Sequence, residues 1–503
     1  MKSRASSKET KCSAGHSTSD IGYQNKKNTI NYGYCDLCTK EHFIEEFKTW
    51  SSGNVEIDKI IQECQTNNGY NLRWIPYDNF QEIKHIANGG YGSVHSTILK
   101  NGVKRYWDLN KSDWDYCNVG DKVALKEIND SKDDVSIFIK EVQNIQTVSD
   151  LLYVTICLGI SKNPITQNFI IVMELYDNSL HKFLKTNFWK LRWELKLYLL
   201  YNIAGGLNNL HKKNLAHCDL HAGNILTKSY SDFINSNLTT IADFGSCSLE
   251  NDSILKSDNK SNKIYGSIPY IPPEVLRGNT YSKKGDIYSF GGIMYEMATG
   301  KQPFYDQAHD TRLIINIYNE ERPKIPDHTL DWIPKFYIDL MHRCWSNDPS
   351  KRPTAQELYD VLWNLFEILL NNKVDDDLFK QFKKADENKE KAIKSQKHES
   401  SSSPYISHSQ SCYFSRTIYT LYGLHESLED IKSGKSQDPN LLKPDEPVTS
   451  SVITYDIDPK EIEECIDWEK EIKENKNRTR KRSFSTLNSG SDNITKKKVK
   501  IAN

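Results

Sequence analysis

One change of apolar period organises the middle of this chain. From Tyr77 onward short strand-like runs follow one another and end in Val123-Ala124-Leu125-Lys126-Glu127-Ile128. From about Ser136 the period turns helical, with Phe138, Val142 and Ile145 on one stripe, and four more helical stretches cover Trp193 to Leu210, Gly285 to Thr299, Pro334 to Trp345 and Ala355 to Leu370. A strand-rich part followed by a helix-rich part predicts an α+β domain over 77–370.

At 503 residues the chain is longer than one core usually supports, so extensions are expected around that domain. Residues 1–30 are rich in Ser, Lys and Asn without an apolar period and are expected to be disordered. Segment 31–76 predicts a helical hairpin: Phe43, Phe47 and Trp50 lie at i, i+4, i+7, and Ile57, Ile60, Ile61 and Cys64 repeat the pattern after Ser51-Ser52-Gly53. The remainder, 371–503, has linker composition and is expected to be a polar, mostly disordered tail. Within it, Asp458-Pro459 starts a possible short helix, and the apolar island Cys412 to Tyr422 could dock a partner.

The formal net charge of −1 leaves no global field for nucleic acid or anionic lipid, and the tail lacks interleaved aromatics, so direct nucleic-acid binding is not expected. No run of eighteen apolar residues appears, and the 11 cysteines are scattered through the chain. The expectation is a cytoplasmic protein with reduced thiols and no membrane partner. Basic clusters at Arg478–Arg482 and Lys496–Lys500 suit a bipartite nuclear-import signal.

Ile86-Ala87-Asn88-Gly89-Gly90-Tyr91-Gly92-Ser93-Val94 reads alone as a hairpin turn, or as a glycine loop whose backbone lies over nucleotide phosphates. Lys126 ends an apolar strand, and fifteen residues later Glu141 sits beside the stripe of a helix. A lysine buried near phosphates needs such a carboxylate to hold its ammonium. Further on stand His217-Cys218-Asp219-Leu220-His221-Ala222-Gly223-Asn224-Ile225-Leu226 and Ala242-Asp243-Phe244-Gly245. Tyr265 to Glu274, Asp286 to Gly291, and Cys344 to Pro353 complete the series.

In this order and spacing the motifs resemble those of the eukaryotic protein kinases, and within them the tyrosine-kinase-like group. The segment before the domain is similar to that of an expanded kinase set of fungi. The resemblance covers about 290 of the 503 residues and implies a bilobal fold, with a small β-rich lobe carrying one regulatory helix and a large helical lobe. It implies ATP and Mg²⁺ as cofactors and a protein hydroxyl as acceptor. Lys126 would hold the α- and β-phosphates, Glu141 would anchor it, Asn224 and Asp243 would bind Mg²⁺, and Asp219 would orient the acceptor proton. The nucleotide would lie under residues 86–94 with adenine between Val94, Ala124 and Leu226, edged by Glu174 to Tyr176 and backed by Met173. The resemblance also implies a buried Glu274–Arg352 pair, an Asp286 brace and a spine of Ile145, His217 and Phe244. Ser267 after Gly266 resembles the serine/threonine signature.

Three positions depart from the pattern. Ala87 replaces a glycine, Cys218 replaces the arginine before the base aspartate, and His221 replaces a lysine two residues after it. Cys218 removes the clamp for a phosphorylated activation loop, so activity independent of that loop is expected, with Cys218 oxidation as another control if its thiol is exposed. His221 keeps open a second reading, a nucleotide-binding pseudokinase scaffold. Cys35-Asp-Leu-Cys38 is half of a zinc knuckle, for which Cys12, His16, His42 and Cys64 are candidate further ligands.

Overall fold

The computed structural model describes residues 10–31, 33–68, 72–89, 92–149, 151–228, 239–249, 260–374, 376–396 and 407–441. Gly90, Tyr91, the helix expected after Asp458 and both basic clusters lie outside them.

Two helices, α1 (Asp36–Glu46) and α2 (Val55–Glu63), form the predicted hairpin. Asn54 caps α2 by accepting from the Glu56 and Ile57 amides, which satisfies two donors of the first turn. The small lobe is built on β1 (Phe80–Gly89), β2 (Gly92–Leu99), β3 (Val103–Asp108), β4 (Asp113–Cys117), β5 (Lys122–Ile128), helix α3 (Ser136–Val148), β6 (Cys157–Lys162) and β7 (Phe169–Glu174). The main sheet is antiparallel in the order β1-β2-β5-β7-β6. Its central strand β5 is buried from Val123 to Ile128, including the charged Lys126 and Glu127, because it lies between β2 and β7.

The β3–β4 hairpin leaves the main sheet and joins two short strands, Ile30–Asn31 and Tyr34–Cys35, in a second sheet. That sheet anchors the N-terminal segment: Trp107 donates its amide to Thr39 (3.1 Å), and Glu46 receives Lys104 (2.6 Å) and the Trp114 indole (2.8 Å). Ile57, Ile61 and Cys64 of the hairpin share one buried cluster with Val142, Ile145 and Val148 of α3. The 10–30 stretch, expected to be disordered, is held from Thr10 by bridges such as Lys11 to Ser17 and Ile21 to Lys27. Polar composition misled here because its order comes from side-chain to backbone bonds, such as Asn28 to the Ser17 carbonyl (3.1 Å), instead of an apolar face.

The large lobe contains α4 (Leu180–Asn187), α5 (Trp193–Lys212), α6 (Lys283–Thr299), α7 (Thr311–Tyr318), α8 (Lys335–Cys344) and α9 (Ala355–Leu370). Helix α6 is buried almost from end to end and stops at Gly300, whose φ of 70° is left-handed. Thr354 and Glu357 form a capping box that starts α9, which packs along α5. Arg352 grips Glu274 with two bonds of 2.7 Å in a buried fork, as the resemblance implied.

The tail departs most from expectation. Residues Asp377–Gln396 form α10, and 407–441 run back across the large lobe with strand β9 (Arg416–Tyr419) paired to β8 (Lys263–Gly266). Helix α10 is amphipathic despite its charge: Phe382 packs on Trp193 (centroids 5.4 Å), and Asp386 accepts the Trp193 amide at 3.2 Å. Lys389 donates to the Leu191 carbonyl. Alternating charges hid a face that needs only Phe379, Phe382 and Ala385 to bury.

Candidate active site

The buried strand β5 carries Lys126 to the cleft, and α3 presents Glu141 on the same face as Phe138 and Val142. Lys126 Nζ lies 2.6 Å from Glu141 and 2.8 Å from Asp243, so the pair expected from the sequence is formed and extends to a third residue. Burial opposes the lysine charge, but the two carboxylates hold its pKa above the ordinary value. Asp243, although burial pushes the other way, is held below the usual carboxylate range by Lys126 and stays charged.

Asp286, 0% exposed, accepts the amides of His217 (2.8 Å) and Cys218 (3.0 Å) and so fixes the loop that presents Asp219. His217 donates through Nε2 to the Ala242 carbonyl (3.0 Å) and packs near Phe244 (6.0 Å), which with buried Ile145 gives the expected spine. Asn224 donates its amide to the Asp219 carbonyl at 2.9 Å. Its oxygen is therefore the end that can ligate a cation, beside the charged Asp243. This donor set of oxygens fits Mg²⁺.

Residues 86–89 and 92–94 lie on β1 and β2, where Gly89 pairs with Gly92. A Cβ on Gly92 would come within 2.0 Å of the Glu127 carbonyl oxygen, so only glycine lets β2 approach β5 there. Val94 pairs with Lys126, and Ala124 with Met173 on β7, which sets the expected adenine-contact residues of both strands in one register. Glu174 is held by Lys228 at 2.7 Å, Tyr176 lies 3.3 Å from Glu174, and Leu226 stands on the strand Ile225–Thr227 below.

Cys218 is 7% exposed, and burial pushes its thiol well above the ordinary value, so the oxidation control considered from the sequence is withdrawn. Burial also lowers the pKa of His221 to about 4, which makes the imidazole neutral. Its Nδ1 accepts the Gly223 amide (3.0 Å), which leaves the proton on Nε2.

What faces Asp219 had no signature in the sequence. The Ser415 hydroxyl, from the tail island expected to dock an outside partner, donates to Asp219 Oδ1 at 2.7 Å, and His221 Nε2 lies 3.2 Å from Ser415 Oγ. Burial raises the Asp219 carboxyl to about 7, partly offset by that bond.

A second cluster lies in the N-terminal segment. The Sγ of Cys12 is 3.7 Å from that of Cys38, and His16 Nδ1 is 3.3 Å from Cys38 and 3.7 Å from Cys35. All four ligand atoms lie within 4.8 Å of one another. The other two candidates are engaged elsewhere: His42 stacks on Trp107 (3.6 Å), and Cys64 accepts from Gln146 (2.7 Å).

With the lysine, carboxylates and catalytic loop in place, the fold and cleft are those of a protein kinase. The family model of protein tyrosine and serine/threonine kinases matches residues 80–362, and the chain belongs to that family. Similar proteins include one named "Probable serine/threonine-protein kinase roco5" of Dictyostelium discoideum, 30% identical over 320 residues, 61% of this chain and 10% of that protein. Another is the mouse "Ankyrin repeat and protein kinase domain-containing protein 1", 30% identical over 301 residues, 58% of this chain and 37% of that protein. The chain thus spans between a tenth and about a third of the length of these relatives. Among the described residues, no helix is long and apolar enough to cross a membrane.

Proposed function

We propose that the chain is an active, Mg²⁺-dependent protein kinase that transfers the γ-phosphoryl group of ATP to serine or threonine hydroxyls of proteins. The observation that carries this reading is the Lys126 ammonium, held at 2.6 and 2.8 Å between Glu141 and Asp243 in the cleft that also holds Asp219. Phosphoryl transfer asks a protein chiefly for positioning and charge neutralisation, and both are assembled here. Bound ATP with its Mg²⁺ supplies the transferable phosphoryl group. Lys126 positions it from above, the oxygens of Asp243 and Asn224 offer hard ligands, and Asp219 takes the proton of the acceptor hydroxyl. The pseudokinase scaffold is disfavoured, because the replaced lysine at His221 leaves every one of these contacts intact. Names of relatives support the serine/threonine choice.

The test incubates the full chain with Mg-ATP and casein, with Asp219→Asn as the blank, followed by phosphoamino-acid analysis. Loss of the base should cost about 10²-fold or more. Equal labelling by both proteins sinks the reading, and phosphotyrosine alone sinks its acceptor class.

We also propose that Cys12, His16, Cys35 and Cys38 hold a structural Zn²⁺. Four ligands of sulfur and nitrogen form a closed site, and bonds of about 2.3 Å to sulfur separate tetrahedral ligands by about 3.8 Å, close to the 3.7 Å between Cys12 and Cys38. His16 Nε2 meets Glu41 at 3.1 Å, the outer carboxylate that commonly orients a ligating imidazole. Metal analysis of the purified full chain should find close to one zinc per chain, reduced in Cys35→Ser; less than about a tenth of an equivalent ends the idea.

A further inference from the structure

The segment 407–441 lies across the cleft where an acceptor protein has to bind, and it is held there along its length. At the entry, the His408 amide donates to the Tyr305 carbonyl (2.9 Å), and the Cys412 amide donates to His309 Nδ1 (2.9 Å). His309 is buried and neutral; its Nε2 lies 3.1 Å from the Phe304 carbonyl, and its Nδ1 also lies 2.7 Å from the Cys412 carbonyl, so the imidazole pins the incoming backbone from both sides of that peptide.

Beyond Ser415 the chain becomes β9 and pairs antiparallel with β8, Arg416 opposite Gly266 and Ile418 opposite Ile264. This is recognition by strand addition, in which main-chain bonds hold the peptide and alternate side chains enter pockets; Ile418 is 0% exposed. The end of the segment locks the strand. Asn440 takes the Tyr419 amide (2.8 Å) and donates to its carbonyl (2.9 Å), while Asp438 accepts the amide (2.7 Å) and hydroxyl (2.6 Å) of Thr311.

The hydroxyl this register delivers to the base belongs to Ser415. Its Oγ–H points at Asp219 Oδ1 (2.7 Å), and the Nε2–H of His221 donates to Ser415 Oγ (3.2 Å), so the Ser415 lone pairs and proton are already ordered for attack. The hydroxyl of Ser411 instead meets Ser407 at 2.8 Å, and that of Thr420 donates to the Ser261 carbonyl at 2.6 Å. A segment that merely blocked the cleft would need no hydroxyl at this position.

We infer that Ser415 is a phosphoacceptor presented to the active site by its own chain, and that the kinase phosphorylates it intramolecularly. The inference rests on the kinase reading above. In the step, Ser415 Oγ forms a bond to the γ-phosphorus of ATP, the bond from that phosphorus to the β,γ-bridging oxygen breaks, and ADP leaves with the electron pair. Asp219 takes the serine proton and passes it to solvent. The product carries a charge of about −1.5 to −2 next to Asp219, which works against the segment staying in the cleft.

The experiment starts from the full chain, freed of phosphate by a phosphatase that is then removed, and follows Ser415 by mass spectrometry after addition of Mg-ATP. Phosphate on Ser415 is expected, with a half-time unchanged over a hundredfold range of protein concentration. A tagged Asp243→Ala chain mixed with untagged wild type should stay at least tenfold less labelled at Ser415 than the wild type. Ser415→Thr should keep labelling at 415 and Ser415→Ala should lose it.

Casein labelling without phosphate on Ser415 overturns the inference and leaves the kinase reading standing. A rate proportional to protein concentration, or full labelling of the tagged chain, overturns the intramolecular step. Absence of labelling on casein and on Ser415 alike removes both readings.

Discussion

The two segments flanking the family-matched region touch it from opposite sides. The N-terminal hairpin lies behind α3, where Cys64 meets Gln146 and Ile57 and Ile61 join its buried face. The tail lies in front, on Asp219, the proposed base. On the proposed kinase reading, the first contact would support the Lys126–Glu141 pair that every transfer needs, and the second would compete with outside acceptors for Asp219. Losing the first should therefore lower all transfer together, and losing the second should divide transfer between acceptors in opposite directions.

The largest effect is expected behind the cleft. Doubly replacing Cys35 and Cys38 by serine should lower labelling of casein and of Ser415 alike, on the order of a hundredfold, because α3 loses its brace and Glu141 its hold on Lys126. Thermal unfolding of the same variant should begin earlier. A fall in one acceptor only would break the comparison.

In front, Ile418→Asp places a carboxylate in a site that is 0% exposed, a cost large enough to displace β9. Ser415 labelling should drop at least twentyfold while casein labelling rises. Parallel changes in the two would mean that the tail supports the fold instead of occupying the acceptor groove.

The pH response sharpens the contrast. Burial raises the Asp219 carboxyl to about 7, so the base-competent carboxylate grows as pH rises through that value. His221, held at about 4 by burial, stays neutral throughout. Initial rates of Ser415 labelling should fall about tenfold from pH 8 to pH 6, as the deprotonated fraction does. In Ile418→Asp the carboxyl regains water, and casein labelling should keep more of its rate at pH 6. Identical profiles would argue that the segment does not desolvate the base.

The smallest expected effect is that of Asn440→Ala, which removes two bonds to the Tyr419 backbone worth about 1 kcal/mol together. Casein labelling should rise about fivefold or less at pH 8, with Ser415 labelling slowed in proportion. No change in either rate would show that the lock is dispensable.

The grouping of Lys126, Glu141, Asp219, Asn224 and Asp243 in one cleft was legible in the sequence because the kinase motifs restrict residue types at short range. Asp219 and Asn224 lie five residues apart on one loop, and Lys126 and Glu141 lie on neighbouring elements, so spacing carries their geometry. Likewise the change of apolar period between β5 and α3 gave the α+β class. Order in the flanking segments was not legible. Helix α10 hides three apolar contacts among charges, and residues 10–30 are held by polar side chains bonded to backbone, which leaves no period to read. The cysteine pair indicated half a metal site, but choosing Cys12 and His16 over His42 and Cys64 required the chain to fold back.

By itself the sequence determined the family, the two-lobed architecture and the set of residues that line the cleft, because each is encoded by contiguous motifs with fixed side-chain chemistry. Only the tertiary structure decided what stands before the base. Ser415 and Asp219 are 196 residues apart, and they meet through the β8–β9 register, the His309 contacts and the Asn440 lock. Strand addition is specified mainly by backbone groups that every residue shares, so no pattern of side chains announces it in advance.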